Sequence, residues 1–389
     1  MKSINTKDIN FELPIVVFLF LYISSIFFSI ALSNIFLGIG IFIFLLAWIR
    51  KNIQLDFSIS RILLFVVLII PFILTLISVL HSEDLINGMR SIRLRIPVPV
   101  IAFILTFMRI KDVTIKKGIY IFSILTLAAT LFTLVRALKF VDEGILLQPD
   151  FTFFITPIQH PYFGVYLLIA FVSVIEFKLV DHKTLRFLIL FLLIAGMIIS
   201  TSRLTYLLLF LIVIFYSFKS LPKKNSIIIS ISLVVFTSLF IFTNKDMLSK
   251  FKTSLNYQHS PRLKLWNNAI KVIETSENEF LGIGIGDYYK TKEDPYFFKE
   301  NNEGLYGYDP HSQFFEFYIT TGYTGVLFML ILFIFGIKKI LEQNEYARIV
   351  FLIIFAFTLT ESILNRQYGV QLYSIFIPLI FKENLKKLR

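Results

Sequence analysis

"RIPVPVIAFILTFMRIK", residues 95–111, decides how this chain is threaded. Its apolar part is short, and Pro97 and Pro99 interrupt it. An apolar stretch of roughly 17–25 residues can cross a bilayer as a helix. By length alone the segment 92–108 is therefore the weakest of a long series. Whether it crosses fixes the orientation of every loop that follows.

Working outward, apolar runs lie near 14–32, 34–49 and 62–80 before it, and near 118–136, 161–179, 186–201, 203–218, 226–243, 312–337, 347–361 and 368–381 after it. Cytoplasmic loops carry an excess of Lys and Arg. If 92–108 crosses and the chain starts inside, the inner segments hold Arg50, Lys51 and Arg61, then Arg109, Lys111, Lys116 and Lys117. Lys178, Lys183 and Arg186 follow, then Lys219, Lys223 and Lys224, then Lys338, Lys339 and Arg348, then a basic tail. Every short inner loop then has at least three basic residues. If 92–108 fails to cross, all later loops invert and the pattern collapses. The expectation is an all-α polytopic membrane protein with about twelve transmembrane helices. It forms a single transmembrane domain over 1–389, with a large outer loop at 244–311 between spans nine and ten that contains short helices.

Composition agrees. The 389 residues are 56% hydrophobic and 16% charged, against roughly 45–50% and about 25% in soluble domains. Mean hydropathy is +0.77. The first apolar run follows Lys2, Lys7, Asp8 and Glu12 and has no small-residue cleavage site, so it reads as a retained span rather than a signal peptide. The net charge of +12 is mostly this topology signal, because the inner segments account for more than half of the 38 basic residues. No clustered basic face calls for nucleic acid. There is no cysteine, hence no thiolate chemistry or disulfide framework. No His, Asp and Glu spacing suits a metal, and no cofactor is called for. The 45 phenylalanines read as generic lipid-facing residues.

Charge inside the spans is scarce away from their ends, which disfavours a lipid-linked glycan flippase or other exporter lined at depth. Arginines gather instead on the outer side, against the positive-inside trend: Arg90, Arg93, Arg95, Arg136, Arg203, Arg262 and Arg366. Arginine suits bidentate phosphate recognition. Arg203 opens a span in "STSRLTYLLLF", where it either snorkels or binds an anion. Arg262 stands in the first turn of an expected loop helix, with Ser260 at the N-cap, Pro261 at the first helical position, and Trp266, Ala269, Ile270 and Ile273 on one apolar face. A helix N-terminus plus an arginine is an anion site. Arg90 and Arg93 share a face that fits either membrane surface or substrate. "GIGIGD" at 282–287 lacks the setting of a dinucleotide fingerprint and reads as a turn that lets backbone pass closely. Glu361, at the outer end of a span, is placed to orient either an arginine or a histidine.

That histidine is in "YDPHSQFFEFYITTGYTG", residues 308–325, where a polar knot runs straight into an apolar helix. His311, Ser312, Gly322 and Gly325 match the signature of the O-antigen ligase and polymerase superfamily, and Arg203 to Leu207 match its short arginine motif. The chain resembles that family in these motifs and in its large outer loop. The resemblance implies metal-independent, inverting glycosyl transfer on the periplasmic face of a bacterial inner membrane. The donor is a glycan on undecaprenyl diphosphate, and the acceptor is lipid A–core in a ligase or a second lipid-linked glycan in a polymerase. It makes His311 the general base and Arg203 and Arg262 the diphosphate ligands; from their places on the expected outer side, Arg90, Arg93, Arg136 and Glu361 are supporting candidates. Gly322 and Gly325 read as close-packing positions.

Overall fold

The computed structural model describes residues 11–139, 155–243, 248, 260–276, 278–288 and 309–382. Among these residues regular structure is helical, with no strand and an isolated bridge between Leu55 and Met108. The helices begin with α1 (Glu12–Ser24), α2 (Ile30–Ile49), α3 (Ile59–Leu68), α4 (Ile70–Leu80), α5 (Leu85–Arg95) and α6 (Pro97–Phe107). They continue with α7 (Asp112–Leu138), α8 (His160–Glu176), α9 (Lys183–Ile199), α10 (Arg203–Ser220) and α11 (Lys223–Thr243). The loop helix α12 (Pro261–Glu274) precedes α13 (Gln313–Ile340), α14 (Glu345–Thr360) and α15 (Gln367–Ile380).

Four of these, α2, α7, α10 and α13, are long and apolar enough to cross a membrane alone. The pair α3 and α4 adds a fifth crossing if the 51° bend between them lies within one span. Among the described residues helix length and composition thus identify four or five crossings of the about twelve expected from the sequence. The decisive segment illustrates why. Pro97 starts α6, which has only 11 residues, about 16 Å at the α-helical rise. A crossing there needs α5 as well, and α5 carries Arg90, Arg93 and Arg95.

Sequence pattern explains where the core lies. α8 buries most of its length, from Tyr162 to Val174, and packs against α7, α9, α10 and α14. Gly164 lets α10 approach, since a Cβ there would stand 2.1 Å from Thr205 Oγ1. The outward faces of α2, α9 and α13 instead present Phe42, Ile49, Phe187 and Ile334. Exposed apolar surface on this scale marks contact with a membrane or a partner, and in helices of this hydropathy the neighbour is lipid.

α13 is broken, and the break positions the site. Gly322 takes φ +61° and ψ −153° inside the helix. Its flanking groups bond to the loop segment instead of to the helix. Ile283 and Gly284 N–H donate to the carbonyls of Ile319 and Thr320 at 3.0 and 3.2 Å, and Tyr323 N–H donates to Glu279 O at 3.0 Å. Only glycine fits this contact, because a Cβ on Gly322 would lie 2.1 Å from Glu279 O and one on Gly282 2.5 Å from Ile319 O. Gly282 and Gly284 are themselves left-handed. The "GIGIG" stretch is thus a backbone splint for the N-terminal half of α13. Asp287 finishes the splint by accepting the N–H groups of Glu83 and Asp84 at 2.7 and 2.9 Å at the start of α5.

Candidate functional site

Three elements bring the site together at one end of the bundle: the start of α13, the end of α14 and the start of α12. His311 has φ +47°, a left-handed backbone that few non-glycine residues adopt. Asp309 Oδ1 stabilises it by accepting the His311 N–H at 3.0 Å. The loop helix holds the same turn from outside, since Trp266 Nε1 donates to Pro310 O at 2.8 Å and its ring stacks on Phe315 at 5.1 Å. A strained residue held this firmly is typical of functional positions.

Glu361 bridges the two candidate groups. Its Oε2 is 3.1 Å from His311 Nδ1, and its Oε1 accepts from Arg262 at 3.2 Å. A carboxylate only accepts, so the neutral imidazole carries its hydrogen on Nδ1, which makes Nε2 the basic nitrogen of the ring. Burial pulls the His311 pKa down, but the hydrogen bond and charge of Glu361, with the charge of Asp309, outweigh it, and the net shift is upward. Arg262 opposes that rise as a nearby cation.

Arg203 starts α10 after a tight polar turn. Thr201 is left-handed at φ +48°, and Ser202 caps the helix by accepting the Thr205 N–H at 3.4 Å. Arg203 lies within electrostatic reach of Arg262. Arg203 and Arg262 thus each stand at a helix N-terminus, and Arg262 is joined through Glu361 to the histidine. Such an arrangement can hold a polyanion and accept a proton next to it. Among the described residues no group of three or more His, Asp or Glu side chains is arranged to hold a metal ion.

Ser260 occupies the N-cap position of α12 in extended conformation with Pro261 next, but its hydroxyl makes no cap bond. The face that α12 buries centres on Leu265, Ala269, Val272 and Ile273, so it is rotated from the face read in the sequence. Arg90 lines a cavity with Asp309 and Arg366. Arg93 is exposed and bonds back to Met89 O at 3.4 Å, and Arg136 rests over Phe132 of its own helix at 5.5 Å. Neither joins the cluster. Much of the outer loop, including 244–247, 249–259 and 289–308, and most of 137–160 lie outside the described residues.

Sequence reading missed a second cluster. Arg95, expected on the outer rim, is fully buried and pairs with Glu316 in the first turn of α13. Its other donors reach Thr75 Oγ1 at 2.7 Å, Asn365 Oδ1 at 2.9 Å and Leu364 O at 3.2 Å. Gln313 completes the network, donating to Glu316 at 2.9 Å and accepting the Leu364 N–H at 2.8 Å. The turn that follows Glu361 is thereby fastened to α4, α5 and α13. The two charged partners are 221 residues apart in sequence, and only the anomaly of an acid inside an apolar run hints at the pair.

Residues 188–330 match the family model for O-antigen ligase. Over these residues the chain is similar to the O-antigen ligase and polymerase superfamily. The matched stretch runs from within α9 to within α13 and contains Arg203, Arg262 and His311. Glu361, Arg95 and the cavity arginines Arg90 and Arg366 lie beyond it. No curated protein matches the chain. At family level the match supports membrane glycosyl transfer of the O-antigen ligase and polymerase type, with lipid-linked glycan and acceptor substrates in general.

Proposed function

We propose that the protein transfers an undecaprenyl-diphosphate-linked glycan to an acceptor hydroxyl on the periplasmic face of the inner membrane, as an O-antigen ligase with lipid A–core as acceptor. In this reading both termini are cytoplasmic, all twelve apolar segments cross, and 244–311 is periplasmic. The observation that carries the chemistry is the Arg262–Glu361–His311 chain with Arg203 beside it.

The acceptor oxygen attacks the anomeric carbon from the face opposite the diphosphate. The new C–O bond forms as the bond to the phosphate oxygen breaks, and configuration inverts. Undecaprenyl diphosphate departs with the electron pair, and Arg203 and Arg262 offset its developing charge. The hydroxyl proton moves to His311 Nε2, while Glu361 holds Nδ1–H and stabilises the imidazolium. Arginine here supplies what a metal supplies elsewhere, so transfer proceeds in EDTA. A histidine belongs at the mouth of α13 because the lipid tail holds the donor at that depth.

A deletion strain tests the assignment. A ligase predicts long polymers stranded on undecaprenyl diphosphate and bare lipid A–core at the surface. Core capped by a single repeat unit replaces the ligase reading with the polymerase reading, which uses the same site chemistry.

A further inference from the structure

A cavity of about 430 Å³ lies beside the His311 cluster and is not accounted for by donor binding. Its size falls within the roughly 300–1,000 Å³ of small-molecule sites. Asp309 is shared between the two places. Its Oδ1 is 3.5 Å from His311 Nδ1, and its Oδ2 is 3.7 Å from the Arg366 guanidinium on the cavity wall. Arg90 lines the same cavity from α5 and has no ion pair among the described residues. Two arginines against one carboxylate leave the cavity cationic. Gln159 and Gln367 add planar amide groups of the kind that bind sugar hydroxyls. Ile30, 48% exposed at the start of α2, and Leu94 of α5 give one side an apolar lip.

We infer that this cavity is the subsite for the second substrate and takes a phosphate-bearing glycolipid headgroup, with Arg90 and Arg366 on its phosphate. The inference rests on the glycosyl-transfer reading and deepens it. The charge has a geometric reason. A lipid-anchored acceptor enters sideways past Ile30 and Leu94, and its phosphates, close to its acyl chains, reach the cavity before its sugars do. Forked guanidinium groups at the entrance fix the headgroup and present its glycan toward Asp309 and His311. The arginines tallied in the sequence suggested one well-defined anion site. The fold brings Arg90 and Arg366 together and supplies a second.

The phosphate belongs either to lipid A–core or to a second undecaprenyl diphosphate, and direct binding separates them. Full-length protein in nanodiscs of zwitterionic lipid is titrated with fluorescent lipid A–core and with undecaprenyl diphosphate, each beside its dephosphorylated form. One phosphorylated probe is expected to weaken about tenfold in Arg90→Ala and further in Arg90→Ala/Arg366→Ala, with Arg90→Lys intermediate. Its dephosphorylated form should not distinguish the variants from the wild type. If lipid A–core responds, the subsite serves a ligase. If undecaprenyl diphosphate binds twice, with one site lost in the double variant and the other in Arg203→Ala, it serves a polymerase. Equal affinity of wild type and both variants for both phosphorylated probes overturns the inference. Binding is read without turnover, so a failed transfer assay refutes the glycosyl-transfer reading while leaving this outcome separate. Arg90 is exposed, and its replacement leaves helix packing intact.

Discussion

Two acid–cation clusters stand close together at the start of α13, and they differ in one respect. Arg95 and Glu316 are sealed, with side chains 1% and 0% exposed, whereas His311 and Arg262 are 29% and 38% exposed around a mostly buried Glu361. In the sealed cluster each nitrogen of Arg95 donates to protein. In the open one the histidine and the Arg262 guanidinium keep about a third of their surface accessible. Similar chemistry yields a truss in one place and the proposed reactive site in the other, and the truss holds the turn that follows Glu361. Burial, more than residue type, separates the two roles.

The contrast is broken most sharply by removing the base. His311→Asn should lower transfer by about 10²–10⁴-fold, the usual contribution of a general base, with normal protein in the membrane. Asparagine tolerates the left-handed backbone, so the turn survives. Purified His311→Asn with near wild-type turnover would end the base assignment. Arg203→Ala and Arg262→Ala should each cut transfer severely, and Arg→Lys should restore little because a point charge does not reproduce the fork.

Within the truss the effect should be on stability. Breaking a buried ion pair on one side costs about 3–5 kcal/mol, because the remaining charge is left without a partner. Glu316→Ala or Arg95→Ala should therefore deplete folded protein in the membrane, measured as the monodisperse fraction after detergent extraction. Arg95→Met/Glu316→Leu should recover much of it. A Glu316→Ala protein that folds normally yet loses turnover would move Glu316 from the truss into the chemistry.

A smaller and more specific effect concerns pH. The base works only when neutral, so activity falls on the acid side as His311 protonates. Glu361 and Asp309 raise the His311 pKa against burial and Arg262. Removing the Glu361 charge leaves Asp309 alone to oppose burial and Arg262, so in Glu361→Gln the acid limb should move to lower pH while maximal turnover drops. An acid limb that stays in place in this variant would detach Glu361 from the histidine.

These outcomes also mark what the sequence made legible. His311, Arg203 and Arg262 stand out because each breaks a local rule: a histidine at a span mouth, and arginines on the side where topology disfavours them. The glycine stretch 282–286 was readable as close backbone passage, although its partner, the break at Gly322, depends on hydrogen bonds across some forty residues of chain. Glu361 was readable as an acid that orients an arginine or a histidine, and the fold joins it to both. Arg95 was misplaced because charge counting assigns a side to a loop but not a depth to a side chain. Crossing number and helix length are likewise different quantities. Apolar runs register as candidate spans whether the helices they form are 28 residues long, as in α13, or 11, as in α6.

The smallest expected effect falls on the arginines that composition grouped with the others. Arg93 bonds only to the carbonyl one turn back, and Arg136 covers a phenylalanine on its own helix. Surface changes away from buried networks usually stay within about 0.5 kcal/mol. Arg93→Ala and Arg136→Ala should therefore leave transfer within about twofold of wild type, since 1.4 kcal/mol corresponds to tenfold. The comparison with Arg90 is the sensitive one, because Arg90 and Arg93 lie one helical turn apart on α5 and carry the same charge. If the outer arginines act only as a diffuse field that attracts anionic lipid, both α5 variants should weaken transfer equally, and raising the salt should erase the difference from wild type. If a defined cavity reads a phosphate, Arg90→Ala should raise the half-saturating acceptor concentration while Arg93→Ala does not. Equal losses in the two variants would return the outer arginines to a membrane-surface role.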